Sequence, residues 1–319
     1  TGTSVKSCSS RKERPMRDAF LKTCCALLLL AGPAPLAGPA EALAVRAVAS
    51  QLVKEGRLEE AIACYERAAN ATADLQNNAS FLKAASEIAL RRLRDPDRAL
   101  ALAEKIKGKG HSQSRQLVLL VNGRHFAEAI AQFGDAEIQS WPHTCHLESF
   151  LARGTAYGEL KRPADAKEDL ERAVASSGAV IDRGWACKRL GDLYQDEMND
   201  HDRALAVYRK GLAVTKGNYA WRNRCLLSIV AILVERRELD TAAEEFKAIE
   251  YSDLPSDYWR ALFYISHAGV LREQRNNGQA ATQLVKILRL AEVPDSIREN
   301  ARVMLDALIE DMGGTTEKR

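Results

Sequence analysis

The densest run of chemistry-bearing side chains in this 319-residue chain is His143-Thr144-Cys145-His146. Two imidazoles and a thiol suit a soft metal, which wants three or four such donors around it. The run offers three at most, and no second cluster of histidine and cysteine exists elsewhere to complete it. Two histidines and a cysteine entering a helix otherwise serve as surface and packing residues. No Gly-x-Ser-x-Gly elbow, phosphate-cradling glycine loop or His-Glu-x-x-His appears, so hydrolase, nucleotide and zinc-protease chemistry find no carrier. The acidic pairs Glu59-Glu60 and Glu244-Glu245 fall on what reads as the solvent side of helices. Asn70-Ala71-Thr72 and Asn78-Ala79-Ser80 fit the glycosylation pattern, a match short enough to arise by chance. No cofactor, no bound metal and no catalysis are expected.

Cys64, Cys145, Cys187 and Cys225 follow residue 42. An even count permits two disulfides in an exported chain. Each, however, falls within or at the start of a predicted helix, tens of residues from the next, so buried free thiols are the plainer expectation. There is no Cys-x-x-Cys pair.

The elements that would carry any site come from an internal repeat. In Gly56-Arg57-Leu58-Glu59-Glu60-Ala61-Ile62-Ala63-Cys64-Tyr65 a turn glycine precedes a helix with a small alanine and an aromatic four residues on. Similar arrangements recur around Ala99, Ala129, Ala166, Ala204, Ala242 and Ala280. Counted from Ala61 onward, the gaps are 38, 30, 37, 38, 38 and 38. Four residues after the anchors stand Tyr65, Ala103, Phe133, Leu170, Tyr208, Phe246 and Leu284, all apolar or aromatic. Residues four apart share one helix face, so this position looks into a core in every unit. A second amphipathic helix lies upstream of each anchor, as in Cys187-x-x-Leu190-Gly191-x-x-Tyr194 and Phe150-x-x-x-Gly154-x-x-Tyr157. Gly154, Gly191 and the anchor alanines let helices approach closely. One such hairpin cannot bury its apolar face alone, but stacked neighbours can. The short gap from Ala99 to Ala129 predicts shortened helices in the third unit. Residues 295–312 read as a final amphipathic helix, capped by Asp295 or Ser296 and stopped by Gly313-Gly314.

These residues resemble the tetratricopeptide repeat, whose Trp-x-x-Leu-Gly-x-x-Tyr and Ala-x-x-x-Phe pattern spans about 34 residues. The likeness covers roughly residues 44–290. It implies an all-α solenoid of stacked helical hairpins wound into a right-handed superhelix, with one added helical turn or a longer loop in the longer units. In that family the first helices line an inner groove that holds extended peptides. Carried over, the groove positions are Trp185, Lys188, Arg189, Asp192 and Gln195 in the fifth unit, and Arg224, Leu227, Ser228 and Ala231 in the sixth. Some members grip a terminal carboxylate with a lysine and an asparagine. Lys188 and Arg189 offer charge here, but Asp192 stands where that asparagine would be. Trp185, Trp221 and Trp259 recur with the repeat, so they read either as wedges between hairpins or as ligand-facing aromatics.

Charge and hydropathy complete the reading. Lys6, Arg11, Lys12, Arg14, Arg17 and Lys22 outnumber Glu13 and Asp18 at the start, while the rest of the chain is close to neutral. A near-neutral body argues against a nucleic-acid partner. The basic start runs into Cys24-Cys25-Ala26-Leu27-Leu28-Leu29-Leu30 and then small residues and prolines up to Ala40. That is the layout of a secretory signal, too short to span a bilayer. Cleavage after Ala40 or Ala42 fits. The expected organisation is upstream residues 1–15 before Met16, a signal at 16–42, the repeat array at 43–290, a C-terminal capping helix at 291–314 and a disordered tail at 315–319. The expected function is an exported, periplasmic or secreted scaffold that binds a protein or peptide partner on its concave face, with no stable membrane span and its oligomeric state left open. A glycan- or peptide-binding module and an accessory subunit of an enzyme complex are the alternatives.

Overall fold

The computed structural model describes residues 39–108, 110–215, 219–247, 254 and 256–313. The expected upstream residues 1–15, the tail 315–319 and all but the end of the expected signal lie outside them. The chain divides into two compact units, residues 1–160 and 161–319. The described residues form sixteen α-helices and no strand.

In the first unit these are α1 Pro39–Lys54, α2 Leu58–Ala71, α3 Leu75–Ile88, α4 Pro96–Glu104, α5 His111–Asn122, α6 Phe126–Gln132, α7 Asp135–Gln139 and α8 His143–Glu159. In the second they are α9 Pro163–Ala175, α10 Val180–Asp192, α11 His201–Val214, α12 Tyr219–Glu235, α13 Leu239–Lys247, α14 Asp257–Glu273, α15 Asn277–Leu288 and α16 Asp295–Asp311. Helices α3 and α10 each end in a wider π turn, Ala89–Leu93 and Leu193–Glu197. Both expected cleavage points fall in the first turn of α1, ahead of its buried residues Val45, Val48, Ala49 and Leu52.

The repeat is visible in burial. Ala61, Ala99, Ala129, Ala166, Ala204, Ala242 and Ala280 are each 0% exposed. Their partners four residues on, from Tyr65 to Leu284, are buried too. Gly191 shows why the facing helix needs small residues: a Cβ there would lie 2.3 Å from the Tyr208 ring. First helices run 17 residues in α8, α12 and α14, against 9 to 14 in the second helices α9, α11, α13 and α15. The third unit is compressed as its short gap predicts, with 12 residues in α5 and 7 in α6.

A second regularity escapes the sequence pattern. Five residues before each anchor the backbone turns left-handed, at Gly56, Arg94, Arg124, Lys161, Asn199, Arg237 and Arg275. In four of these turns the following N–H bonds back five residues, Arg57 to Leu52 (2.9 Å) and His125 to Leu120, Glu238 to Leu233 and Asn276 to Leu271 (2.8 Å each), and after the π turns Asp95 and Asp200 bond back six, to Ala89 (3.0 Å) and Tyr194 (2.7 Å). This closes the C-terminus of the first helix and reverses the chain. A cation there is favourable to the negative end of that helix dipole. In the second unit two of these cations also reach the end of the next first helix: Lys161 pairs with Glu197 and Arg237 with Glu273, both at 2.6 Å.

Gly313 (φ 77°) continues the series one repeat length after Arg275, and α16 follows α14 at the same interval. By phase α16 is another first helix. Ala261 and Ala268, which α14 buries in a cluster with Ala280 and Leu284 of α15, correspond to exposed Glu299 and Asp306 in α16, while Leu271 corresponds to half-buried Ile309. One detail differs from expectation: Pro294 is the N-cap and no side chain caps α16, because the helix already begins at Asp295. Asn78 is buried, with its amide donating to the Ala69 carbonyl at 2.9 Å, so the folded chain presents only the exposed Asn70 of the two glycosylation matches.

Arg275 is a left-handed, exposed arginine with no side-chain bond among the described residues. Replacing it by glycine removes the Cβ penalty of that conformation, partly offset by a freer unfolded chain. Arg275→Gly is expected to raise stability by about 0.5–1 kcal/mol in urea unfolding. Gly191→Ala, which overpacks against Tyr208, is expected to cost about 1–3 kcal/mol in the same assay.

Candidate functional site

Within residues 161–319 the first helices α10, α12 and α14 are neighbours, and the residues carried over from the repeat pattern cluster on α10 and α12. Glycine sets their spacing. A Cβ on Gly184 of α10 would lie 2.4 Å from Thr215 Cγ2 and 2.9 Å from Trp221 Cβ. Its absence lets the first turn of α12 lie against α10. Trp221 then stacks on Trp185 with parallel rings, 8° apart in plane and 5.9 Å between centroids. Arg224, one turn along α12 and exposed, places its guanidinium 5.2 Å from the centre of the Trp221 ring. Such pairs contribute about 0.5–1.5 kcal/mol each beyond burial. Both tryptophans remain half-buried. The wedge reading and the open-surface reading thus meet in one structure: the rings join two hairpins and still show an edge to solvent.

Three other carried-over residues converge elsewhere. Lys188 forms an ion pair with Asp192 one turn on. The Tyr208 hydroxyl of α11 donates to Asp192 Oδ1 at 2.6 Å and lies 3.2 Å from Gln195 Oε1. The Lys188 ammonium lies 5.6 Å from the centre of the Tyr208 ring. Tyr208 itself is 0% exposed. Burial first, then the bond to Asp192, holds its hydroxyl far above the ordinary phenol range; Ser228 opposes this with a bond of its own. Lys188, Asp192 and Gln195 therefore sit around a core hydroxyl, their charges matched within the fold. Arg189 and Leu227 are half-buried and Ala231 is exposed. The open cation of the surface is Arg224. Arg222 beside it forms no ion pair among the described residues, and the first four turns of α12 contain no carboxylate before Glu235.

The histidine and cysteine run in the first unit divides between two partners. His143 and His146 face each other edge-on, with Nδ1 atoms 3.3 Å apart, and His146 Nε2 donates to the Trp141 carbonyl at 3.0 Å. Cys145 turns away, its Sγ 3.2 Å from Nδ1 of His111 at the start of α5. His111 is a partner that the linear sequence conceals, far upstream on another helix. Burial pushes the Cys145 thiol up and the His111 imidazole down. Both are neutral near pH 7, which is the opposite of the thiolate–imidazolium pair that makes a nucleophile. Among the described residues no three histidine, cysteine or acidic side chains gather in a metal-holding group.

The Tyr208 hydroxyl offers a test with a fixed sign. Its folded-state pKa is raised, so the stability it contributes is complete below the ordinary phenol pKa of about 10, begins to fall there and is lost as pH rises toward and through the higher folded-state pKa. Tyr208→Phe is expected to lose about 1–2 kcal/mol at pH 7 and to show a flatter decline of stability between pH of about 9 and 11, read by denaturant unfolding at each pH.

Tetratricopeptide repeat family models match residues 49–74, 147–179 and 186–218. No curated protein matches the chain. Among solved structures, a tetratricopeptide repeat protein from Parabacteroides merdae ATCC 43184 is 14% identical, covering 83% of this chain and 98% of its own, at a TM-score of 0.44. MamA from Desulfovibrio magneticus RS-1 is 19% identical over 57% of this chain and 98% of its own, at a TM-score of 0.37. A monomeric mutant of IFIT1 with Gppp-AAAA is 12% identical over 96% of this chain and 80% of its own, at 0.43. The segments at residues 49–74, 147–179 and 186–218 are thus similar to tetratricopeptide repeats.

Proposed function

We propose that this chain is a non-catalytic interaction scaffold, exported from the cell interior, that holds a protein or peptide partner on the first-helix surface of residues 161–319. The observation that carries the reading is the half-buried Trp185–Trp221 stack with exposed Arg224 laid over its edge. Tryptophan and arginine on rigid backbone are the residue types that dominate binding energy at interfaces. Tetratricopeptide repeats at three places support a scaffold. The satisfied charges of Lys188 and Asp192 shift the weight of recognition toward Trp185, Trp221 and Arg224. The mechanism is shape and charge matching on a preformed surface, so little ordering cost falls on the scaffold. Among the described residues no helix is long and apolar enough to cross a membrane. Export rests on the basic and apolar residues 17–42.

Capture with the immobilised chain at two salt concentrations, read by mass spectrometry, identifies the partner. Arg224→Glu combined with Arg189→Glu is expected to weaken the captured complex about tenfold or more with unchanged helicity, and Trp221→Ala to do the same at either salt. Unaltered affinity in both variants overturns this surface. Export is checked by N-terminal sequencing of the chain from its own cell envelope, where a start at Glu41 or Leu43 is expected and an intact Met16 start refutes it.

A further inference from the structure

Cys187 and Cys225 occupy the same position in consecutive repeats, on α10 and α12. Both are free thiols, at 1% and 0% exposure. They close on one spot, the vacant side-chain position of Gly211 on α11. A Cβ there would lie 2.7 Å from Cys225 Sγ, 3.1 Å from Cys187 Cβ and 3.7 Å from Cys225 Cβ. The two cysteine Cβ atoms are therefore separated by no more than the sum of the last two distances, about 7 Å, where a disulfide needs about 3.5–4.5 Å. Gly211 adds no side chain at this spot, so rotation of the thiols and an approach of α10 and α12 complete the geometry. Cys145 is turned to His111.

We infer that Cys187 and Cys225 are a disulfide-forming pair, which ties α10 to α12 beside the Trp185–Trp221 stack. This goes beyond the interaction reading and does not depend on it. The oxidant is a low-molecular-weight disulfide. The thiolate of one cysteine attacks a sulfur of that disulfide and releases one small thiol. The thiolate of the other then attacks the mixed disulfide and releases the second. Two electrons pass from the pair to the oxidant, and the two protons leave on the released thiols.

Burial, with Cys187 alongside, pushes the Cys225 thiol up to about 12, and burial also raises Cys187. Thiolate is therefore scarce in the folded chain at neutral pH and exchange there is slow. The fast route is oxidation during folding, before α11 covers the pair.

The test uses the full chain in two arms, both in a buffer of oxidised and reduced glutathione. In one arm the chain is refolded from the reduced, denatured state. In the other it is folded first and then held for days. Free thiols are alkylated, and peptides are mapped without reduction. The expected result is a linked Cys187–Cys225 peptide pair, formed faster in the refolding arm, with Cys64 and Cys145 alkylated. Tm rises by several degrees in the oxidised chain, and the folded Cys187→Ala/Cys225→Ala variant lacks that rise. Alkylated Cys187 and Cys225 in both arms, their linkage to other cysteines instead, or a Tm rise retained in the double variant overturns the inference.

Discussion

Close approach of an alanine-bearing second helix to its first helix is the constraint on which the rest depends. Seven alanines with no exposed surface mark the points of closest packing. An alanine brings backbone near backbone, and the apolar residue one turn on fills the volume beside it. Because this residue also meets the next first helix, each second helix cements two neighbours. Phe246 shows the arrangement, with its ring 4.7 Å from His267 and 6.3 Å from Phe263 of α14. Within each unit the core is thus a run of local contacts between successive helices.

That constraint places the candidate surface. Gly184, Gly191 and Gly211 bring α10, α11 and α12 close enough for Trp185 to meet Trp221 and for Cys187 and Cys225 to share one spot. The polar knot around Tyr208 is the other product of the same closeness. A hydroxyl buried at a helix seam needs an acceptor, and Asp192 supplies it while keeping its own counter-charge in Lys188. Positions that would be free groove residues in a wider seam become structural here.

The anchor alanines and their aromatic partners were legible because packing and spelling share one period. The hairpin order and the compressed third unit followed from them. The left-handed turns were not legible, since only Gly56 spells the conformation and the other six positions hold arginine, lysine or asparagine. The tryptophan stack was half legible. Trp221 follows Trp185 two positions short of the repeat length, and it is this offset that lets rings from successive helices meet instead of pointing the same way. The bonds of Tyr208 to Asp192 and of Cys145 to His111 depend on side chains crossing between helices, which periodicity does not encode.

The turn between paired helices carries a further meaning. In Glu235-Arg236-Arg237 and Glu273-Gln274-Arg275 a carboxylate stands two residues ahead of the left-handed cation, and Arg237 of one turn grasps Glu273 of the next. The first tripeptide thus holds the giving end of this latch and the second its receiving end. Each exposed latch is weak by itself. Its value lies in heredity: the repeat-length segment from Arg236 to Glu273, copied in frame, arrives with both ends already installed, so an array of this kind can lengthen by a whole unit without designing a new junction.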